Sequence, residues 1–80
     1  MNITVTTNSG SVYKLSKMGG KFYIVKVGKW AGEVIATPKD AICVGKSMEM
    51  LIRKKGVYFK NAGLIEPLST TPVKEISVKL

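Results

Sequence analysis

Apolar and polar residues alternate with a period of two through much of this chain, and glycines interrupt the alternation at short intervals. Successive side chains of a strand point to opposite faces, so such a pattern with turn residues between the runs is that of a compact β protein. Ile3-Thr4-Val5-Thr6 alternates cleanly, and Asn8-Ser9-Gly10 turns the chain. Ser11 to Lys17 resumes, with Tyr13 and Leu15 on one face and Lys14 and Ser16 on the other. Gly19-Gly20 supplies two residues that adopt positive φ without steric cost, which predicts a tight second turn. Lys21 to Val27 is apolar on both faces and is expected to lie centrally, paired along both edges.

Gly28-Lys29-Trp30-Ala31-Gly32 reads as a loop bracketed by glycines, followed by a short strand from Glu33 to Thr37 that Pro38-Lys39-Asp40 breaks. Ala41 to Val44 is a further short extended piece. Ser47 to Lys55 fits two patterns. As a strand it turns Met48, Met50 and Ile52 inward and Glu49, Leu51 and Arg53 outward; as a helix it has Ser47 as N-cap and Gly56 just past its end. The strand is preferred, because Lys54-Lys55-Gly56 makes a natural hairpin turn into the strand Val57-Tyr58-Phe59-Lys60. Asn61-Ala62-Gly63 turns again, and Pro67 to Pro72 reads as an irregular connection. Val73 to Leu80 alternates once more. A long terminal strand cannot stand alone in so small a domain, so it is expected to pair with the first strand and close a barrel.

Eighty residues make a single domain, 1–80, that buries roughly 60–65% of its unfolded surface. With 45% hydrophobic residues it has enough apolar material for a small core. The expected fold is mainly β: a small antiparallel barrel, SH3-like or OB-like, of roughly five to seven strands. It becomes α+β if Ser47–Lys55 is helical.

Enzymatic constellations are mostly missing. The chain has no histidine, which removes the commonest general base and metal ligand. Its lone cysteine, Cys43, excludes an intramolecular disulfide, and Ile42-Cys43-Val44 suggests a small buried hydrophobe rather than a nucleophile. Glu33, Asp40, Glu49, Glu66 and Glu75 are scattered, with no carboxylate dyad. Val44-Gly45-Lys46-Ser47 ends like a phosphate-binding loop, but Asp40 stands where that loop needs its first glycine. No catalytic residue, metal ligand or cofactor is expected. No apolar run approaches the roughly 18 residues of a membrane span, and no signal peptide is visible. The expected setting is cytoplasmic, with no membrane partner.

Charge points the other way. The net charge is +8, carried by 13 Lys and Arg against 5 acids, and Arg53 is the sole arginine. From Met1 to Gly32 there are five lysines and no acid. Lysine acts as a mobile point charge and arginine as a rigid fork, so this balance favours sequence-tolerant contact with a phosphate backbone over base reading. A lysine-rich surface also serves plain solubility. The candidate nucleic-acid-binding residues fall in two clusters: Lys14, Lys21, Lys26 and Lys29 with Trp30, and Arg53, Lys54 and Lys55 with Tyr58 and Lys60. Trp30 and Tyr58 are expected to stack or wedge bases, against the alternatives of a lid over the barrel end and a surface β-former.

Two resemblances accompany this reading. Val27-Gly28-Lys29-Trp30, in a lysine-rich chain of this size, resembles the small basic chromatin proteins of archaea with SH3-like barrels, which implies a Trp-bearing sheet in the DNA minor groove. Thr7-Asn8-Ser9 with Tyr13, and Thr70-Thr71-Pro72-Val73 with Glu75-Ile76, resemble short phage and prophage β-domain proteins. That second resemblance implies a phage or mobile-element protein that binds an acidic host protein. The expectation is therefore a DNA- or RNA-binding module, with host-protein binding or homo-oligomerisation through an edge strand as alternatives.

Overall fold

The computed structural model of the chain describes residues 2–37, 42–55 and 63–79. Among them, β1 (Asn2–Thr7), β2 (Val12–Met18), β3 (Lys21–Lys26), β4 (Trp30–Ala36), β5 (Ser47–Lys55) and β6 (Ile65–Lys79) form one closed barrel. Every pairing is antiparallel, and each strand lies beside its neighbours in sequence until β6 returns to β1. This is an up-and-down path, and it leaves β3 paired on both edges, as its two apolar faces require.

Local chemistry explains the hairpins. Gly19 and Gly20 both have positive φ, 58° and 80°, the backbone of a two-residue turn matched to strand twist, and they place Met18 opposite Lys21. Ser47–Lys55 is strand throughout. Met48, Met50 and Ile52 are buried while Glu49 and Leu51 face solvent, so the period of two prevails over helix propensity. With Val5, Tyr13, Leu15, Ile24 and Val73 they fill the barrel interior.

β6 holds the barrel shut. Its first part, to Pro72, pairs with β5; its second part, from Val73, pairs with β1. Register shifts mark both sides of the handover, between Ser47 and Glu49 on β5 and between Thr6 and Thr7 on β1. The expected closure by Val73–Leu80 is thus observed for the described residues. The expected irregular connection from Pro67 to Pro72 is not: that stretch is strand. Proline fits because β1 meets β6 only from Val73 onward, so around Pro67 the strand has a ladder on one side.

Three further expectations are corrected. Trp30 is not in a loop but opens β4 opposite Lys26; the turn is shorter, closed by the Lys29 amide donating to the Lys26 carbonyl at 2.9 Å. Gly32, taken as the end of that loop, is a buried strand residue. A Cβ there would sit 2.9 Å from the Arg53 carbonyl oxygen and 3.3 Å from Lys54 Cα, so glycine is required by the close approach of β5. Cys43 is exposed rather than buried, because Ile42 turns toward the core and its successor faces out. Of the piece expected over Ala41–Val44, Val44 makes an isolated bridge to Val73 and Ala41 lies outside the described residues. The expected strand Val57–Lys60 also lies outside them.

Gly32→Ala should therefore destabilise the barrel by about 1–3 kcal/mol, since the obstructing atoms are backbone. Urea unfolding would show it as a lowered midpoint; an unchanged midpoint would mean that β4 and β5 do not approach so closely.

Candidate nucleic-acid interface

One end of the barrel gathers aromatic and cationic side chains. The β3–β4 register puts Trp30 opposite Lys26, and the β2–β3 register puts Lys26 opposite Tyr13. All three belong to the inward-facing series of their strands. Trp30 is half-buried, packed against the core, with its ring edge-on to Tyr13 at 6.2 Å between centroids. The Lys54 ammonium lies 5.1 Å from the Trp30 centroid, and that of Lys26 lies 5.6 Å from the Tyr13 centroid. Lys54 also pairs with Glu66 at 2.7 Å. Trp30 is thus a lid over the barrel interior, and Lys54 covers one face of its ring.

A different surface carries lysines without such partners among the described residues. On the outer face, two rows of residues cross β6, β1, β2 and β3 in register. Lys79, Asn2, Ser16 and Tyr23 make one row, and Ser77, Thr4, Lys14 and Val25 make the next. The short side chains leave a groove of about 390 Å³ between the two lysines. No carboxylate lines it, and neither Lys14 nor Lys79 pairs with an acid of the described residues. Acids bound this surface on two sides: the Tyr23 row continues to Glu33 on β4, and exposed Glu75 stands opposite Thr6 in the row beyond Ser77 and Thr4. Chemically, the groove offers two ammonium groups, three hydroxyls and one carboxamide to an anion.

The sequence-derived candidates separate in space. Lys26, Trp30 and Lys54 come together at the lid, so the two clusters meet across β4 and β5. Lys29 is exposed in the adjoining turn and Lys21 at the start of β3. Lys14 lies in the outer groove. Arg53 is half-buried opposite Glu33, with its Nε buried and lacking a hydrogen-bond partner. Lys55 is a residue of β5, while Tyr58 and Lys60 lie outside the described residues. Sequence reasoning missed Lys79, Asn2, Thr4 and Ser77. The β1–β2 hairpin puts Thr4 opposite Lys14 and Asn2 opposite Ser16, whereas only the pairing of β6 with β1 adds Ser77 and Lys79, for which the alternation of Val73–Leu80 was the available signal.

A second groove, of about 540 Å³, is mostly apolar and opens where β4 ends. Ala36, Leu51, Pro67 and Leu68 line it, with Glu49 at its edge. Among the described residues no group of three or more potential metal ligands occurs, and no helix is long and apolar enough to cross a membrane. No family model, curated protein or solved structure matches the chain.

The lid assignment makes a testable separation. Trp30→Ala should cost up to about 3 kcal/mol, at or below the lower end for burying such a ring, while Trp30→Phe should retain most of the stability. Thermal unfolding followed by far-UV circular dichroism would measure both. Wild-type stability in Trp30→Ala would refute the lid.

Proposed function

We propose that this chain is a non-catalytic nucleic-acid-binding module with little sequence preference, which takes a phosphodiester backbone across the outer face of β6, β1, β2 and β3. The acid-free groove between Lys14 and Lys79 carries the reading. Two ammonium groups that pair with no acid of the described residues, flanking hydroxyls, suit a phosphate, and lysine without arginine suits backbone contact rather than base reading. Exposed Lys21, on the same face of β3 as Val25, extends the positive field beyond the groove. DNA and RNA share the chemistry that this face recognises.

Engagement of roughly three phosphates by Lys14, Lys21 and Lys79 predicts that log K falls with log salt at a slope of about −2 to −3. Lys14→Ala should reduce the slope by about one, whatever the nucleotide sequence. Fluorescence anisotropy with labelled oligonucleotides at several salt concentrations would measure both quantities. Affinity poorer than about 10⁻⁴ M near physiological salt, or a slope indifferent to Lys14, would remove the support for this reading.

The apolar groove favours a second reading, a protein-binding module. Leu51 and Ile65 are 42% and 50% exposed on the outer face of β5 and β6, and Pro67 lies opposite Leu51. Here a host protein or a second copy would dock through apolar contact. The edge route to oligomers is less favoured, since β1 occupies one side of Val73–Lys79. Leu51→Asp should then abolish self-association in analytical ultracentrifugation, or capture of a host protein, and leave oligonucleotide affinity unchanged.

A further inference from the structure

The geometry points to RNA as the ligand of the outer groove, with its ribose 2′-hydroxyl taken by Asn2 and Thr4; this rests on the nucleic-acid reading above. The registers of β6, β1 and β2 lay the polar groove residues out as a grid. Lys79, Asn2 and Ser16 form one row of it, and Ser77, Thr4 and Lys14 the other. All of them line the groove. The lysines stand at the two ends of one diagonal, and Asn2 and Thr4 lie between them on β1. Two inter-strand steps and two residues along β2 separate the lysines, roughly 12 Å between Cα atoms.

That arrangement follows the order of a nucleic-acid strand, in which a sugar sits between each phosphate and the next. The ammonium groups, on flexible stems, hold the two phosphates, and the sugar between them rests on Asn2 and Thr4. Lysine only donates hydrogen bonds and phosphate oxygens accept them, so the cations do not tell RNA from DNA. The side chains between the cations do. A hydroxyl both donates and accepts, and a carboxamide carries groups of each kind. The ribose 2′-hydroxyl complements them in both directions, whereas deoxyribose would cover them with carbon and leave them without partners. No hydrogen bond among the described residues uses the side chain of Asn2, Thr4, Ser16 or Ser77. Hydroxyl bonding gathers instead on Thr7, Ser9, Ser11, Thr70 and Thr71.

The experiment measures binding of the full chain to single-stranded RNA and DNA of one sequence, with uracil in both, so that the strands differ at the 2′ position alone. RNA should bind at least about tenfold more tightly, the worth of one to two hydrogen bonds. The 2′-O-methyl form of the RNA, which has no hydroxyl proton to donate, should lose most of that advantage. Thr4→Val and Asn2→Ala should each lower RNA affinity about fivefold and leave DNA affinity unchanged, whereas Lys14→Ala should weaken both alike. RNA and DNA duplexes are measured in parallel, because an A-form helix displays the same hydroxyls in its shallow minor groove; selectivity in either pair supports the inference. Should a variant fail to fold, 2′-O-methyl RNA on the wild-type protein decides. Equal affinity for RNA and DNA in both pairs, undiminished binding of 2′-O-methyl RNA, or an RNA advantage that survives both substitutions would overturn the inference and leave phosphate binding standing. Absence of binding to every oligonucleotide would remove the nucleic-acid reading itself.

Discussion

Val73 is the residue on which closure depends. It is buried opposite Thr7, its amide donates to the Lys46 carbonyl at 2.8 Å, and its carbonyl accepts from the Gly45 amide at 2.9 Å. Around it β6 leaves one partner and takes up another. A closed barrel links strand number, tilt and stagger, so a single long strand must serve β5 low on one side and β1 high on the other. The two register shifts absorb the mismatch at the handover, and the buried Val73 side chain anchors it. Thr7 seals the corner from β1, with its hydroxyl 3.0 Å from that of Ser9, which accepts in turn from Thr71 at 3.1 Å.

Features with local causes were legible in the sequence. Gly19-Gly20 dictates a tight turn by backbone freedom, and the alternations at the two ends demand a buried face that only mutual pairing provides. Ser47–Lys55 was ambiguous because its residues favour a helix while its pattern favours a strand; the need to bury Met48, Met50 and Ile52 together decided it. Features with non-local causes were misread. Gly32 looks like a loop glycine until β5 is laid beside it. Pro67 looks like a strand breaker until its pairing with β5 alone among the described strands is known. Nothing in Ile42-Cys43-Val44 tells which residue of the three the loop will turn inward.

The candidate site divides along the same line. Lys14 was visible as part of an acid-free run, whereas Lys79 lies 65 positions away by numbering and reaches it through the β6–β1–β2 register. The nearness of Lys26 and Lys29 to Trp30 suggested phosphate contact beside a stacking ring. In the folded chain Lys26 lies over the Tyr13 ring and Lys54 over Trp30, so these cations belong largely to the lid. Sequence proximity of a cation and an aromatic does not distinguish a ligand-facing pair from one that caps a core.

What distinguishes them is whether the charge is already answered. Lys54 has a carboxylate at 2.7 Å and a ring face, each of which stabilises an ammonium at the edge of a core. Lys14 and Lys79 have hydroxyls between them and no ion pair with a described acid, on a chain whose net charge of +8 already opposes compaction. An anion seated in the groove relieves that repulsion in the folded state and has no equivalent seat in the unfolded one, because Lys14 and Lys79 come together only when the barrel closes. On the proposed reading, anion binding and closure of the barrel are coupled through the strands that carry these two lysines. The terminal pairing that shuts the core also brings Lys79 to the groove that Lys14 lines.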